Sequence, residues 1–258
     1  MTYLDAIILG LVQGLTEFLP VSSSGHLVMA QTFLDVPSPG VFIEVALHVA
    51  TLLSVTIVYR TKLSELLVGT VRRDPDALRY VGMLVVATLP VVVVGLLFRD
   101  TIEAAFDTPH VTGFMLLLTG VLLYSTAWGE GDRPHHQPGT RHAVSMGLAQ
   151  CLALMPGISR SGSTIAAGLW TGLDGERAAE FSFLMSLPAI AGAAVLQVSD
   201  IGGASVDGPL VTGFLVALVA GIAAIKSLVW LVRRQGFHHF AWYVWAVGLL
   251  FLGYLYLG

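Results

Sequence analysis

The chain has 258 residues, of which 55% are apolar and only 12% charged, and its mean hydropathy is +0.79. That balance belongs to a polytopic membrane protein and leaves no room for a soluble domain beside the spans. A net charge of -4, with thirteen Lys and Arg placed mostly in loops, excludes a nucleic-acid partner.

Along the chain, an apolar stretch of roughly 20 residues is needed to cross about 30 Å of hydrocarbon. Residues 3 to 34 are apolar but interrupted by Pro20 and the run Ser22 to Gly25, so each half is too short to cross alone. A helix-turn-helix that enters and leaves by one face is expected, surrounded by protein or by a water-filled cavity. Asp5 precedes this run without any Lys or Arg, and no cleavage-site pattern follows, so the segment is expected to remain in the mature protein. Full spans are expected at about 41 to 59, 80 to 98 and 111 to 128. A second broken stretch covers 143 to 171, interrupted by Pro156-Gly157 and by Ser159 to Gly162. Three more spans follow at about 178 to 198, 209 to 232 and 240 to 257. The lone cysteine, Cys151, excludes an internal disulfide and reads as a small buried side chain.

Loop charge orients these segments. The stretch 60 to 79 carries Arg60, Lys62, Arg72, Arg73 and Arg79 and is expected to be cytoplasmic. Counting spans from there places 199 to 208, with Asp200 and Asp207, outside, and 233 to 239, opening with Arg233-Arg234, inside. The first hairpin then enters from outside and the second from the cytoplasm. The fold class is therefore an all-α polytopic membrane protein of six transmembrane helices and two re-entrant helix pairs, in inverted-topology repeats of about 1 to 128 and 140 to 258 within one membrane domain. Broken helices in such repeats place a site near the midplane.

The repeat is visible residue by residue. Slid by 137 positions, Gly10, Leu11, Gln13, Leu15, Ser22, Ser24 and Gly25 fall on Gly147, Leu148, Gln150, Leu152, Ser159, Ser161 and Gly162. Ser23 falls on Arg160, and His26 on Ser163. A possible nucleophile in one copy thus faces a fixed positive charge in the other.

Serines and glycines at a helix break leave N–H groups free beside a positive helix end, which attracts anions and phosphate above all. Gln13, Ser22, Ser24, Gly25, Ser159, Ser161, Gly162 and Thr164 form the expected substrate-binding set. Arg160 at membrane depth suits phosphoryl oxygens; its competing reading is a structural pair with Glu17. Gln13 and Glu17 share a helical face at i, i+4. Glu17 is a carboxylate able to accept a proton, position water or hold a divalent cation, Mg2+ or Ca2+, against phosphate; its competing role is capping or pairing. His26 offers acid or base chemistry near neutral pH, against a structural role. Glu44 and His48 share a face near a span end, where Glu44 reads as an interfacial carboxylate. His135, His136, His142, His238 and His239 read as solvated loop residues rather than metal ligands.

The run Gly14-Leu15-Thr16-Glu17-Phe18-Leu19-Pro20-Val21-Ser22-Ser23-Ser24-Gly25-His26 and the run Pro156-Gly157-Ile158-Ser159-Arg160-Ser161-Gly162 resemble the undecaprenyl-diphosphate phosphatase family, often called bacitracin-resistance proteins. Glu180 to Leu184 and Ala224 to Lys226 resemble it too, so the likeness covers the whole chain. It implies hydrolysis of a polyprenyl diphosphate to the monophosphate and phosphate, recycling a lipid carrier in the cell membrane. It further implies Ser23 as nucleophile, Arg160 as phosphate clamp, Glu17 as catalytic or metal-binding carboxylate and His26 as acid/base partner. Many members carry Glu where this chain has Gln13, which leaves Glu17 as the better carboxylate. Water activated directly by His26 or Glu17 stays open beside a phosphoserine. The rival readings are a transporter or lipid flippase, which inverted repeats also suit, and a membrane scaffold, which gives a deep Arg and Glu no purpose. A homo-oligomer is a further expectation.

Overall fold

The computed structural model describes residues 1–34, 40–128, 137–197 and 206–257. Local signals set the helix starts. Thr2 and Asp5 exchange side-chain bonds with each other's backbone N–H, a capping box that opens α1 (Tyr3–Thr16). Asp74 caps α5 (Pro75–Leu97), whose first residue is a proline already fixed at a helical φ. Asp207 accepts the Leu210 N–H at the start of α11 (Gly208–Arg233). The remaining helices are α2 (Ser23–Leu34), α3 (Gly40–Val58), α4 (Arg60–Val71), α6 (Arg99–Phe106), α7 (Pro109–Ser125), α8 (Thr140–Leu152), α9 (Arg160–Trp170), α10 (Gly175–Gln197) and α12 (Phe240–Leu257). No β-strand occurs among the described residues.

Among the described residues, α5, α10 and α11, with α7 and α12 each lengthened by a short 3-10 turn, are long and apolar enough to cross a membrane; α3 qualifies only together with α4, from which it is bent by 76°. The protein is an all-α, multi-pass membrane protein. α1 and α2, and likewise α8 and α9, run 14, 12, 13 and 11 residues. At 1.5 Å per residue, each is too short to cross about 30 Å of hydrocarbon.

Both broken pairs are anchored through glycine. A Cβ on Gly10 would lie 2.5 Å from the Gly213 carbonyl oxygen, and one on Gly14 would lie 2.5 Å from that of Ala217, so α1 meets α11 backbone to backbone. Gly147 meets the Ala87 carbonyl of α5 in the same way, at 2.6 Å. Small residues permit this approach between helices in an apolar medium, where close packing replaces the hydrophobic drive. Phe18, in the first break, is fully buried and meets Phe183 of α10 edge to face at 5.5 Å. The break is thereby pinned to the bundle's aromatic core.

The structure departs from expectation in four places. The basic stretch after the first full span is partly helical, as α4, and the stretch after α5 forms α6. His142 is buried in the first turn of α8, where Nδ1 accepts the Gly139 N–H, so it closes a helix end rather than sitting solvated in a loop. Cys151 is half-buried, its thiol turned to the Gly147 carbonyl one turn back. His135, His136 and Asp200 lie outside the described residues.

Candidate active site

The two breaks use one local design. In the second, Ser159 precedes α9; its Oγ accepts the Gly162 N–H at 3.0 Å and lies 3.2 Å from Ser161 Oγ. In the first, Ser22 precedes α2; its Oγ accepts the Gly25 N–H at 3.2 Å and lies 3.2 Å from Ser24 Oγ. Serine favours this position because its hydroxyl satisfies a helix N–H that has no partner within the helix. The tight turn before the cap is placed differently. The second copy makes it at Gly157, with φ 95°. Pro20 occupies the equivalent place in the first copy, and its ring forbids positive φ. The left-handed residue there is Ser22, with φ 69°.

The breaks are bonded to each other. Ser161 Oγ donates to the Leu19 carbonyl at 3.1 Å, and the Gly157 N–H faces Ser24 Oγ at 3.5 Å. Thr119 of α7 supports the second turn, donating to the Gly157 carbonyl at 2.8 Å and accepting the Ser159 N–H at 3.1 Å.

Ser23 and Arg160, the first residues of α2 and α9, converge on one carboxylate. Arg160 Nη2 donates to Glu17 Oε1 at 2.5 Å, and Ser23 Oγ donates to Glu17 Oε2 at 2.7 Å. Gln13 Nε2 adds a third bond to Oε2 at 3.1 Å. Glu17 is thus an anion lodged between two positive helix ends and a guanidinium. Two donor or acceptor atoms at this cluster, Arg160 Nη1 and Gln13 Oε1, are buried without a hydrogen-bond partner among the described residues. An unfilled guanidinium N–H beside two serine-capped helix starts has the complement of a phosphoryl oxygen.

Of the residues expected from sequence, Gln13, Ser23 and Arg160 bond the Glu17 carboxylate, while Ser22, Ser24, Gly25, Ser159, Ser161 and Gly162 bond within and between the two breaks from which Ser23 and Arg160 start. Thr164 does not face it: fully buried, its hydroxyl engages the Arg160 carbonyl and Ser182 Oγ of α10, each at 2.7 Å. His26 lies beside the site, but its ring bonds go to the Ser22 carbonyl and to Tyr243 rather than to Ser23. The pairing of Arg160 with Glu17, the competing reading of both residues, is present, and one guanidinium nitrogen is left over.

Three residues enter that sequence reasoning did not place here. His48 Nδ1 donates to the Glu44 carbonyl, and its Nε2 stands 3.9 Å from Glu17 Oε2. The i, i+4 spacing of Glu44 and His48 hinted at depth, but the residue that reaches the site is the histidine. Tyr243 and Thr119 carried no signal, being ordinary residues within apolar spans.

Residues 6–250 match the family described as Bacitracin resistance protein BacA. Relatives include an undecaprenyl-diphosphatase of Methanobrevibacter smithii, 41% identical over 98% of this chain and 98% of its own length. Others come from Syntrophotalea carbinolica, 42% identical over 97% and 98%, and Desulforapulum autotrophicum, 36% identical over 97% of each, both also undecaprenyl-diphosphatases. By the extent and specificity of this match, the chain belongs to the bacitracin resistance protein BacA family.

Proposed function

We infer that this membrane protein hydrolyses undecaprenyl diphosphate, or a closely similar polyprenyl diphosphate, to the monophosphate and inorganic phosphate, and so confers bacitracin resistance. The observation that carries the site assignment is the convergence of Ser23 and Arg160 on Glu17, with Arg160 Nη1 still unpartnered. Ser23 Oγ attacks the terminal phosphorus as its proton passes to Glu17 Oε2, 2.7 Å away. The bond from the bridging oxygen to that phosphorus breaks, and the lipid monophosphate departs. Water then attacks the phosphoserine phosphorus, the bond from Ser23 Oγ to phosphorus breaks as Glu17 returns its proton to Oγ, and inorganic phosphate leaves. Arg160 binds the equatorial oxygens through Nη1, and the start of α9 adds its dipole; positioning and charge neutralisation are what this reaction needs.

A divalent cation, Mg2+ or Ca2+, belongs to the same proposal. Among the described residues no three His, Cys, Asp or Glu side chains gather at metal-binding spacing. Glu17 and the unpartnered Gln13 Oε1 nevertheless suit a hard cation that takes its remaining ligands from the diphosphate. When bound, such an ion supplies further neutralisation of phosphoryl charge.

Transport alone would use Arg160 and backbone donors, and would give no reason for a serine hydroxyl donating to a buried carboxylate. The test is phosphate release from a C55 polyprenyl diphosphate by purified protein in detergent, where there is no membrane to cross. Rapid release that needs a divalent cation and is abolished in Arg160→Ala supports the reading. No release under any metal condition, from folded protein, refutes it in favour of transport.

A further inference from the structure

The bonds of His26 lead away from Ser23. Its Nδ1 lies 2.8 Å from the Ser22 carbonyl oxygen, which can only accept, so Nδ1 carries a proton. Nε2 lies 2.8 Å from the Tyr243 hydroxyl, and in this tautomer Nε2 accepts from the Tyr243 O–H. The two rings are stacked, 5.7 Å apart and 7° from parallel. A directed chain therefore runs from α12 through His26 to the carbonyl of Ser22, which also accepts the His26 backbone N–H at 3.2 Å.

Ser22 is the residue that needs holding. Its φ of 69° is uncommon for a residue with a Cβ and persists only where the surroundings enforce it. The second break provides an internal control. Ser159, the counterpart of Ser22, has φ -73°. The counterpart of His26 is Ser163, whose hydroxyl turns to the Arg160 carbonyl at 3.2 Å. The copy with a relaxed cap carries no imidazole lock; the copy with a strained cap does.

We propose that Tyr243 is a positioning residue: its hydroxyl holds His26 in the Nδ1–H form, and His26 holds the Ser22 carbonyl, so that the left-handed turn presents Ser23 to Glu17. The proposal rests on the role given to Ser23 above and gives His26 a mechanical task in place of proton transfer.

The test uses full-length protein in detergent. Tyr243→Phe keeps the stacked ring and removes only the hydroxyl. Its kcat for phosphate release is expected to fall roughly three- to tenfold, the range one neutral hydrogen bond supports, with KM unchanged within twofold. The same substitution made in a His26→Ala background is expected to change kcat by less than 1.5-fold, because the link is already cut. His26→Asn keeps an N–H donor near the place of Nδ1 but cannot titrate, and it is expected to retain at least tenfold more activity than His26→Ala. In protein carrying 15N-labelled histidine, the unprotonated Nε2 resonance of His26 moves downfield in Tyr243→Phe as its hydrogen bond is lost. Equal losses in both backgrounds, equal activity of the Asn and Ala variants, or an Nε2–H tautomer in the wild type would each overturn the proposal. If wild-type protein releases no phosphate, the hydrolase reading fails instead, while the resonance still decides whether Tyr243 bonds His26.

Discussion

Replacing Glu17 with Gln separates the two tasks its carboxylate performs. The side chain keeps its shape, but Arg160, 15% exposed and paired at 2.5 Å, loses its counter-charge. Removing one member of a buried pair costs about 3 to 5 kcal/mol, and the retained amide oxygen places this case near 3 kcal/mol. Ser23 also loses the acceptor 2.7 Å from its hydroxyl, and loss of a positioned base slows turnover by about 10² to 10⁴. Stability is read by unfolding in SDS and activity by phosphate release from the same detergent preparation. A double variant, Glu17→Gln with Arg160→Gln, removes the uncompensated charge and should recover most of the stability while remaining inactive; couplings of about 0.5 to 3 kcal/mol are normal for such contacts. If Glu17→Gln instead lowers stability but keeps turnover within tenfold of wild type, Glu17 is only a tie between the breaks, and the assignment of Ser23's proton to it is wrong.

Ser23→Ala should lower phosphate release by about 10³-fold or more without unfolding the protein, since Ser23 is half-buried and its hydroxyl bonds only Glu17 among the contacts described. Near wild-type turnover would transfer the attack to water. Gly157→Ala should destabilise by about 3 kcal/mol or more in the same SDS assay: φ is 95°, and a Cβ would collide with the Thr112 carbonyl and the Met115 side chain. Unchanged stability would mean that the second turn has room the packing does not show.

The fold was legible because its signals are local and strong. Uninterrupted apolar stretches mark the spans, and Pro20 and Pro156-Gly157 mark the breaks. The end of α3 at Val58 agrees with the span end expected at about 59, but its continuation as α4, bent by 76°, was not legible, since the basic residues from Arg60 read as a loop. The candidate site was picked out in the sequence by the duplicated serines and by the charge of Arg160, whose pairing with Glu17 is the structural role weighed beside phosphate binding. Thr164 looked like part of the same motif, yet one helical turn carries its hydroxyl to Ser182 instead. Tyr243 reaches His26 across 217 residues of sequence, and pairings of that kind leave no trace in periodicity or spacing. Ser22 could have been suspected from Pro20 alone: when proline occupies the position where the other repeat turns left-handed, the turn has to fall elsewhere.

The bond between Glu17 and Arg160 joins residues 143 positions apart. At synthesis rates of 5 to 20 residues per second, the arginine is made roughly 7 to 30 s after the carboxylate. During that interval the first hairpin has no cation to meet its acid and no second break to close against. An arrest of translation before Arg160 therefore leaves a fragment whose Glu17 is deprived of this guanidinium and whose first break has no second break to bond.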